Sequence, residues 1–382
     1  MIIGYDGKRA IQNNTGLGNY SRLLVELLAR EYPDNSYRLY APRLTDNPRM
    51  KPLLELPNVS VATPQTGFGH RFPALWRTGA GITAQMRRDG IGLFHGLSGE
   101  LPLNIASARV PSVVTIHDII FRRCPATYAL PDRLIYDYKF RTACRNATRI
   151  MAISECTRRD IVNDYGIDPE KIDVVYQGCD AQFHRTPDAA EIARVKALYG
   201  IIRPYIICVG SVEERKNQIM AVRGLRDISS EFDLVIVGRR TAYARTIDSF
   251  AATYGLTDRV KFIENALFSH LPALYAGAFC SSYTSRYEGF GIPVIESLSV
   301  GTPVVVATGS CLEEAGGPHT PAVDPDDVEQ WIFTIREMIN YPDVRKKIAE
   351  AGRQYVQRFN NTGMAQGVME CYRRAIRDYG NN

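Results

Sequence analysis

Two glutamates stand eight positions apart in the stretch SRYEGFGIPVIESL, on either side of a break that contains glycine and proline. Glu288 precedes the break, and Pro293 suits the start of a helix whose N–H groups would attract an anion. We expect Glu296 in the first turn of that helix. The simpler alternative is that Glu288 caps a turn and Glu296 complements the helix dipole.

A pair of cations follows the apolar run YIICVG and precedes a helical pattern. The guanidinium of Arg215 can donate two parallel hydrogen bonds to a phosphate, and the ammonium group of Lys216 supplies a compact positive charge. A solvated turn is the ordinary explanation for adjacent Arg and Lys residues in a loop. The glutamates and the helix start downstream favour a site that uses both cations.

Two further candidates lie in the first half of the chain. Gly16 and Gly18 precede an amphipathic helix, where backbone N–H groups could approach an anion or simply form a tight turn. His117 and Asp118 follow the apolar run SVVTI, and either chemistry or a packed histidine with a turn-forming aspartate would explain them. The glycine pattern of Gly16 and Gly18 lacks the third glycine of the G-x-G-x-x-G motif, so it fits poorly with binding of a nicotinamide dinucleotide.

Short apolar runs alternate with helical patterns along most of the chain, which predicts an α/β protein with two doubly wound parallel sheets. We expect residues 1–185 and 186–355 to form the two Rossmann-like domains, and residues 356–382 to form a helix that packs back on the first. Ligands of such sheets bind outside the carboxyl ends of the strands. All candidate residues follow predicted strands, so we expect a ligand cleft between the domains.

The composition of the chain is that of a globular protein and argues against several classes of function. The chain has 382 residues, 45% of them hydrophobic and 23% charged, which is ordinary for a globular protein of two domains. Residues 1–185 carry 24 basic against 18 acidic side chains, an excess too small for a dedicated nucleic-acid binder. Eight cysteines without a C-x-x-C pair indicate reduced thiols. No signal peptide or run of about 18 apolar residues is seen, which predicts a cytoplasmic protein.

Eight segments, in order, resemble the retaining glycosyltransferases of family four, which have the GT-B architecture. These segments are GLGNYSR, VVTIHD, AISECTRRD, VVYQGCD, VGSVEERKN, LPALYAGA, YEGFGIPVIESL and GTPVVVA. The most specific is the E-x7-E pattern of Glu288 and Glu296, supported by the upstream R-K-N. The resemblance runs from about residue 3 to residue 340.

The resemblance implies a role for each candidate. Arg215 and Lys216 would bind the diphosphate of a nucleotide sugar, Glu288 the transferring sugar and Glu296 the ribose, with His117 beside the sugar. The other residues implied in donor binding are Gly16, Gly18, Asn265, Ala266, Leu267, Gly289, Phe290, Gly291 and Ile292. Fixed cations and helix N-termini would stabilise the leaving group, so no metal or other cofactor is expected. Retention could use front-face attack or a covalent intermediate on Glu288.

The overall pattern is most similar to bacterial mannosyltransferases of polysaccharide assembly, which implies GDP-mannose as donor and a glycan or lipid-linked glycan as acceptor. A UDP- or dTDP-sugar donor, a nucleotide-sugar epimerase on the same fold and a non-catalytic binder are the alternatives. Residues 66–90 mix Phe68, Phe72 and Trp76 with arginines and suggest peripheral contact with the inner face of a membrane. An ordinary helix with a basic outer face explains the same pattern. The acidic run at residues 324–327 is interpreted as a helix start rather than a metal site.

Overall fold

The structure is a computed structural model and describes residues 1–64 and 67–381. The described chain divides into two compact units, the first containing residues 1–177 with the segment from Asn361 onwards, and the second residues 178–360. The division lies several residues before the predicted boundary at 185. The reason is that Phe183 is fully buried and its ring packs against Tyr275 of the second unit at 6.1 Å.

The first unit contains a seven-stranded sheet, counted over its described residues, in which every pair of neighbouring strands is parallel and the order is β3-β2-β1-β4-β5-β6-β7. Its strands are β1 (Ile2–Asp6), β2 (Ser36–Tyr40), β3 (Val59–Ala62), β4 (Leu93–Gly96), β5 (Ser112–Ile116), β6 (Arg149–Ala152) and β7 (Ile172–Val174). Its helices before the junction are α1 (Lys8–Gln12), α2 (Gly16–Glu31), α3 (Lys51–Leu54), α4 (Gly67–Arg71), α5 (Pro73–Thr78), α6 (Ala80–Arg88), α7 (Ile120–Arg123), α8 (Leu130–Asn146) and α9 (Glu155–Tyr165). The apolar runs that predicted these strands are almost entirely buried in β1, β4, β5 and β6, as expected for a parallel sheet covered by helices.

The second unit contains a six-stranded parallel sheet in the order β10-β9-β8-β11-β12-β13, and all of its residues are described. Its strands are β8 (Tyr205–Val209), β9 (Asp233–Val237), β10 (Val260–Ile263), β11 (Cys280–Tyr283), β12 (Val304–Ala307) and β13 (Ala322–Val323). Its helices are α10 (Ala189–Leu198), α11 (Gln218–Gly224), α12 (Ala244–Thr253), α13 (Leu271–Ala276), α14 (Ile292–Ser299), α15 (Leu312–Gly316), α16 (Val328–Asn340) and α17 (Pro342–Val356). The two doubly wound sheets confirm the predicted fold class.

The last helix, α18 (Asn361–Gly380), belongs to the core of the first unit rather than to the unit that precedes it in sequence. Tyr372 is fully buried, and its hydroxyl lies 2.7 Å from Nδ1 of His95 on β4. At the far end of the helix, Arg149 donates to Asp378 at 2.7 Å. These contacts hold the C-terminal segment on the first sheet.

Each sheet reverses its strand order once, between β1 and β4 in the first unit and between β8 and β11 in the second. At such a reversal the connections leave the two central strands in opposite directions, which opens a crevice at their carboxyl ends. Most candidate residues follow these central strands or their neighbours, whereas Asn265, Ala266 and Leu267 follow the edge strand β10.

Candidate active site

The reversal of the second sheet brings together the predicted cations and the first predicted glutamate. Lys216 donates to Oε1 of Glu288 at 2.9 Å, and Arg215 reaches the same oxygen at 2.8 Å. Tyr283, the last residue of β11, donates its hydroxyl to that oxygen at 3.2 Å. The three charged side chains retain 10–15% of their exposure, so a ligand can still reach them.

The local backbone fixes the directions of the two cations. Residues Glu214–Lys216 form a single 3-10 turn after β8, and Asn217 ends that turn in the left-handed region with a φ of 54°. The Asn217 amide donates to the carbonyl of Pro325 at 2.8 Å, which holds this uncommon conformation. Arg215 also donates to the carbonyl of Tyr287 at 2.6 Å. The asparagine of the R-K-N sequence therefore has a structural role beside the cations.

The charges in this cluster stabilise one another. Burial raises the pKa of Glu288, but Lys216 and Arg215 outweigh it and lower that pKa to about 2. Burial lowers the pKa of Lys216, whereas Tyr283 and Glu288 raise it above its ordinary value. All three groups are therefore charged at neutral pH. Arg215 also lies 3.5 Å from the carboxylate of Glu213, which is more exposed than the cluster. Among the buried groups two cations therefore share one carboxylate, which favours an anionic ligand.

The second glutamate lies deeper in the helix than the sequence suggested. Helix α14 begins at Ile292, so Glu296 is its fifth residue and lies beyond the first turn. The prediction of a first-turn position was wrong because Gly291 has a φ of 140° and delays the start of the helix. At this depth Glu296 is too far from the helix N-terminus to act chiefly by complementing its dipole.

Glu296 is in the opposite electrostatic environment to Glu288. It is 8% exposed, and the hydroxyl of Tyr275 donates to its Oε2 at 3.2 Å. Burial raises the pKa of Glu296 to about 7, although the Tyr275 hydrogen bond opposes this rise. The carboxyl group is therefore partly protonated at neutral pH and can both donate and accept hydrogen bonds.

The segment predicted to meet the base of the donor follows β10. Asn265 and Leu267 are exposed and Ala266 is half-buried, so this segment offers side chains and backbone to a ligand. The N–H of Leu267 donates to the hydroxyl of Tyr199 at 3.1 Å. Phe268, the next residue, packs on Phe183 at 6.0 Å, which in turn packs on Tyr275. A chain of aromatic contacts thus connects this segment with the partner of Glu296.

The segment that leads into α14, residues 289–291, is buried. Gly289, Phe290 and Gly291 are buried and Ile292 is half-buried. The Phe290 ring packs against Phe359 at 5.3 Å, so its side chain is part of the core. Only the backbone of this lead can therefore meet a ligand through the helix N-terminus.

Ser310, which precedes Cys311 in the loop after β12, was not singled out by the sequence analysis. Its side chain is 5% exposed, and its Oγ has no hydrogen-bond partner among the described residues. The next residue, Cys311, lies with Sγ 3.1 Å from the carbonyl of Glu288. A buried hydroxyl without a partner costs about 1–3 kcal/mol, so a donor or acceptor group of a ligand would be favoured here.

In the first unit, His117 follows β5 as predicted. Its Nε2 donates to the carbonyl of Leu97 at 2.9 Å, and its ring packs edge-on against Tyr20 at 4.5 Å. Burial lowers the pKa of His117 to about 4, although the bond to Leu97 opposes this effect. The imidazole is therefore neutral at pH 7, and the hydrogen bond to the carbonyl leaves Nδ1 as the acceptor nitrogen.

The two glycines at the start of α2 differ in the space available for a side chain. A Cβ on Gly18 would lie 1.9 Å from the carbonyl oxygen of Asn13, whereas a Cβ on Gly16 would meet nothing within 4 Å. Gly18 is thus required by the close approach of the preceding loop, which favours the tight-turn explanation for this residue. Gly16 is exposed at the first position of the helix, where a ligand could approach.

The predicted membrane surface is only partly exposed. Trp76 is 5% exposed and packs near Tyr40, and Arg77 is 8% exposed. Arg77 donates to Asp6 and, at 2.6 Å, to Glu100. The prediction was wrong for Trp76 and Arg77, because α5 turns that face toward the core; Phe72 remains 42% exposed. The side chain of Phe68 lies outside the described part of the chain.

No described helix has both the length and the apolar character needed to cross a bilayer. No group of three or more potential metal ligands of the His, Cys, Asp and Glu types occurs in the described part of the chain. In the acidic run, Asp327 caps α16 by accepting from the N–H of Gln330 at 2.9 Å, as predicted for a helix start.

Tyr283 and Tyr275, which hold the two glutamates, were also not singled out from the sequence. Tyr283 is the last residue of β11, and this position at a strand end could have indicated it from the sequence. Tyr275 lies in the LPALY segment, within α13. No local pattern indicates that the hydroxyl of Tyr275 reaches Glu296, because 21 residues separate them.

Comparison with known proteins identifies the domains of the chain. Residues 15–183 match the model of Glycosyltransferase Family 4, and residues 201–355 match that of Glycosyl transferases group 1. The O-antigen chain mannosyltransferase RfbU of Salmonella typhimurium is 27% identical over 259 residues, 67% of each chain. The O-antigen chain mannosyltransferase B of Escherichia coli is 28% identical over 295 residues, 74% of each chain.

A solved structure shows the same fold. The Anabaena protein Alr3699/HepE, in complex with UDP and glucose, matches with a TM-score of 0.75 over 97% of this chain and 98% of the other, at 20% identity. The two family models together span most of the chain, and the relatives' names indicate a hexosyltransferase. The chain is therefore a glycosyltransferase in which a Glycosyltransferase Family 4 domain is followed by a Glycosyl transferases group 1 domain.

Proposed function

We propose that the protein transfers a mannosyl group from GDP-mannose, with retention, to a glycan or lipid-linked glycan in the synthesis of a bacterial surface polysaccharide. The observation that carries this proposal is the cluster of Lys216, Arg215 and Glu288 at the strand-order reversal of the second unit. Mannose is favoured because two relatives are named O-antigen mannosyltransferases.

The two cations are proposed to bind the diphosphate. Breaking the bond from the anomeric carbon to oxygen leaves negative charge on the nucleoside diphosphate. Lys216, Arg215 and the N-terminus of α14 provide fixed positive charge to offset it. The reaction as proposed therefore needs no metal ion.

Glu288 is proposed to position the sugar rather than to attack it. Its carboxylate is held by three donors on one oxygen, and its pKa of about 2 makes it a weak base and a poor nucleophile. Retention by front-face attack, with the leaving phosphate accepting the proton of the acceptor hydroxyl, is consistent with this environment. Glu296, with its pKa near 7, is proposed to hold the ribose hydroxyls.

The donor base is proposed to meet the segment from Asn265 to Leu267. UDP and dTDP donors remain the alternatives, and a solved relative was obtained with UDP and glucose. The donor roles of His117, Gly16 and Gly18, and a cytoplasmic site of action, stay predictions.

The test is a transfer assay with purified protein. A thermal-shift panel of GDP, UDP, dTDP and ADP identifies the base, because a ligand that binds only the folded state raises its stability. The matching sugar nucleotides are then incubated with glycan acceptors, and the anomeric configuration of the product is read by NMR. GDP binding and an α-linked product from GDP-α-mannose support the proposal. Inversion, or consumption of donor without acceptor as an epimerase would show, contradicts it.

A further inference from the structure

Five polar side chains form a continuous hydrogen-bonded network in the core of the first unit. His95 on β4 is fully buried at its centre. Its Nδ1 lies 2.7 Å from the hydroxyl of Tyr372 on α18, and its Nε2 lies 2.7 Å from Oγ1 of Thr115 on β5. Tyr372 reaches the hydroxyl of Tyr5 on β1 at 3.3 Å, and Thr115 is hydrogen-bonded to Tyr20 on α2. This core network joins three strands and two helices.

The direction of each bond in the core network follows from the few protons available. Tyr372 donates its one proton to Tyr5, so its oxygen accepts from Nδ1–H of His95. Burial lowers the pKa of His95 to about 3, so the imidazole is neutral and its Nε2 accepts from the hydroxyl of Thr115. The oxygen of Thr115 then accepts from Tyr20. His95 is therefore expected as the Nδ1–H tautomer.

The core network extends further than attachment of the C-terminal helix requires. It lies among apolar residues that are at most 1% exposed, such as Leu24 and Leu97, where each polar group costs free energy unless it is paired. The bond between His95 and Tyr372 would be enough to hold α18 on the sheet. The extension through Thr115 therefore needs another explanation, and a fully paired buried network specifies one arrangement of the elements that it joins.

The core network ends against the candidate residue His117. The ring of Tyr20 packs edge-on against the imidazole, with the centroids 4.5 Å apart and the planes at 89°. On the other strand, the carbonyl of Leu97 accepts from Nε2 of His117 at 2.9 Å, and Leu97 comes two residues after His95. Thr115 likewise comes two residues before His117. The groups that orient this imidazole thus belong to the network or lie next to its members in sequence.

The same tyrosine also fixes the beginning of α2. Tyr20 is the fifth residue of this helix, and its bond to Thr115 ties the first turns of the helix to β5. Gly16, the candidate at which a ligand could approach, is the first residue of the helix. One set of buried bonds therefore holds both of these candidates in the first unit.

We propose that the core network positions His117 and the start of α2 for the transfer reaction, with Tyr20, His95 and Tyr372 as positioning residues that act through His117. The inference rests on the proposed transferase function, because that function gives His117 its place beside the sugar. An imidazole restrained at Nε2 and along one edge presents Nδ1 in a single direction. A displacement of about 1 Å at a reacting group can lower a rate by about 100-fold.

The experiment compares variants that each remove one buried hydroxyl. Thr115→Val and Tyr372→Phe break the core network on the two sides of His95 and nearly keep the size of the side chain. Tyr37→Phe is the matched control, because the Tyr37 hydroxyl is buried in the same core but donates to the carbonyl of Leu28 at 2.7 Å, outside the network. Urea denaturation measures the stability that each variant loses.

Two further measurements separate positioning from stability. NMR of protein labelled with ¹⁵N-histidine reports the tautomer of each ring, and His117→Gln assigns the His117 signals. We expect Nε2–H for His117 and Nδ1–H for His95 in the wild type. In Thr115→Val and Tyr372→Phe the His117 signals should shift, and kcat should fall by about ten-fold with the donor KM within about two-fold. Tyr37→Phe should change neither.

The inference is overturned if the His117 signals of Thr115→Val and Tyr372→Phe match those of the wild type, or if kcat falls no further in them than in Tyr37→Phe. The core network would then serve only to attach α18 to the sheet. Failure of every sugar nucleotide to support transfer by the wild-type protein, with His117 signals that still depend on Thr115 and Tyr372, would contradict the proposed function and leave the positioning of His117 standing.

Discussion

The two sheets reverse their strand order in the same way, yet the strand ends at the two reversals carry different chemistry. In the second unit, Lys216 and Arg215 share the carboxylate of Glu288, and Glu213, 3.5 Å from Arg215, is the more exposed acid. Among the buried groups positive charge is therefore in excess. In the first unit, the buried Arg77 is shared between Asp6 and Glu100, so its charge is already satisfied. The topology places the two crevices, and the side chains decide how much unpaired charge each one offers to a ligand.

The largest expected effect comes from breaking the buried pair in the first unit. Arg77→Met leaves Asp6 and Glu100 buried without their shared cation, which costs about 3–5 kcal/mol in the free energy of unfolding. Urea denaturation followed by circular dichroism measures it. The matched control is Arg87→Met, because Arg87 is exposed, and about 0.5 kcal/mol is expected there. If Arg77→Met lowered the free energy of unfolding by less than about 1 kcal/mol, the ion pairs of Arg77 with Asp6 and Glu100 would not be important for stability.

The charge excess of the second unit is tested through catalysis. Lys216→Ala removes a cation proposed to face the leaving diphosphate, so kcat/KM should fall by about 10²–10³-fold. Lys346→Ala, at a side chain that is 74% exposed on α17, should leave the rate unchanged. Initial rates of donor consumption with acceptor measure both. Transfer within a few-fold of wild type in Lys216→Ala would mean that the site is wrongly assigned.

Within the second unit, the two glutamates should respond to pH in opposite ways. The pKa of Glu296 is raised to about 7, so its stabilising contribution is complete below pH 4.5 and is lost as the pH rises through 7. Glu296→Gln should therefore gain up to about 3 kcal/mol over wild type at pH 8, and little at pH 4, while its nucleotide affinity falls. Urea midpoints at both pH values measure this difference.

Glu288 gives the contrasting case for that experiment. Its pKa is lowered to about 2, so its contribution is present above pH 4.5 and is lost as the pH falls through 2. Glu288→Gln should therefore be less stable than wild type at pH 8. Equal responses of the two variants at pH 8 would contradict the opposite environments described for the two carboxyls.

The smallest effect is expected at the membrane surface predicted for residues 66–90, because two of its residues belong to the core. In liposome flotation, Phe72→Ser should reduce binding to anionic vesicles by a few-fold. Leu198→Ser, at another exposed apolar residue, should not change it. No flotation of the wild-type protein with or without anionic lipid would exclude the membrane contact.

Much of the fold was predictable because parallel strands are continuous apolar runs. YIICV and DLVIV are buried along nearly their whole length, and the runs that predicted β1 to β12 are all strands. The exception is β13, Ala322–Val323, which is too short for any periodicity to appear. The boundary was placed late because polar, turn-forming residues surround the buried Phe183.

Candidate site residues were recognisable in the sequence where they follow a strand and carry charge, as Lys216 and Glu288 do, and their roles in binding stay predictions. They were not predictable where the function of a residue depends on which face of a short element is buried. Arg77 and Trp76 look like an interfacial pattern in sequence, but packing of α5 places both in the core. Ser310 has no local signal, because its relation to Glu288 depends on the approach of two loops.

The sequence by itself determined the strands, the parallel α/β class and the identity of the charged groups, because apolar periodicity and side-chain chemistry are local properties. Only the tertiary structure decided the protonation of the two glutamates, which stand eight positions apart. Glu288 is held ionised by Lys216 and Arg215, which are 72 and 73 positions away in sequence, and Glu296 is buried beside a tyrosine hydroxyl. A pKa depends on the charges and solvent around a group, and folding alone brings those together.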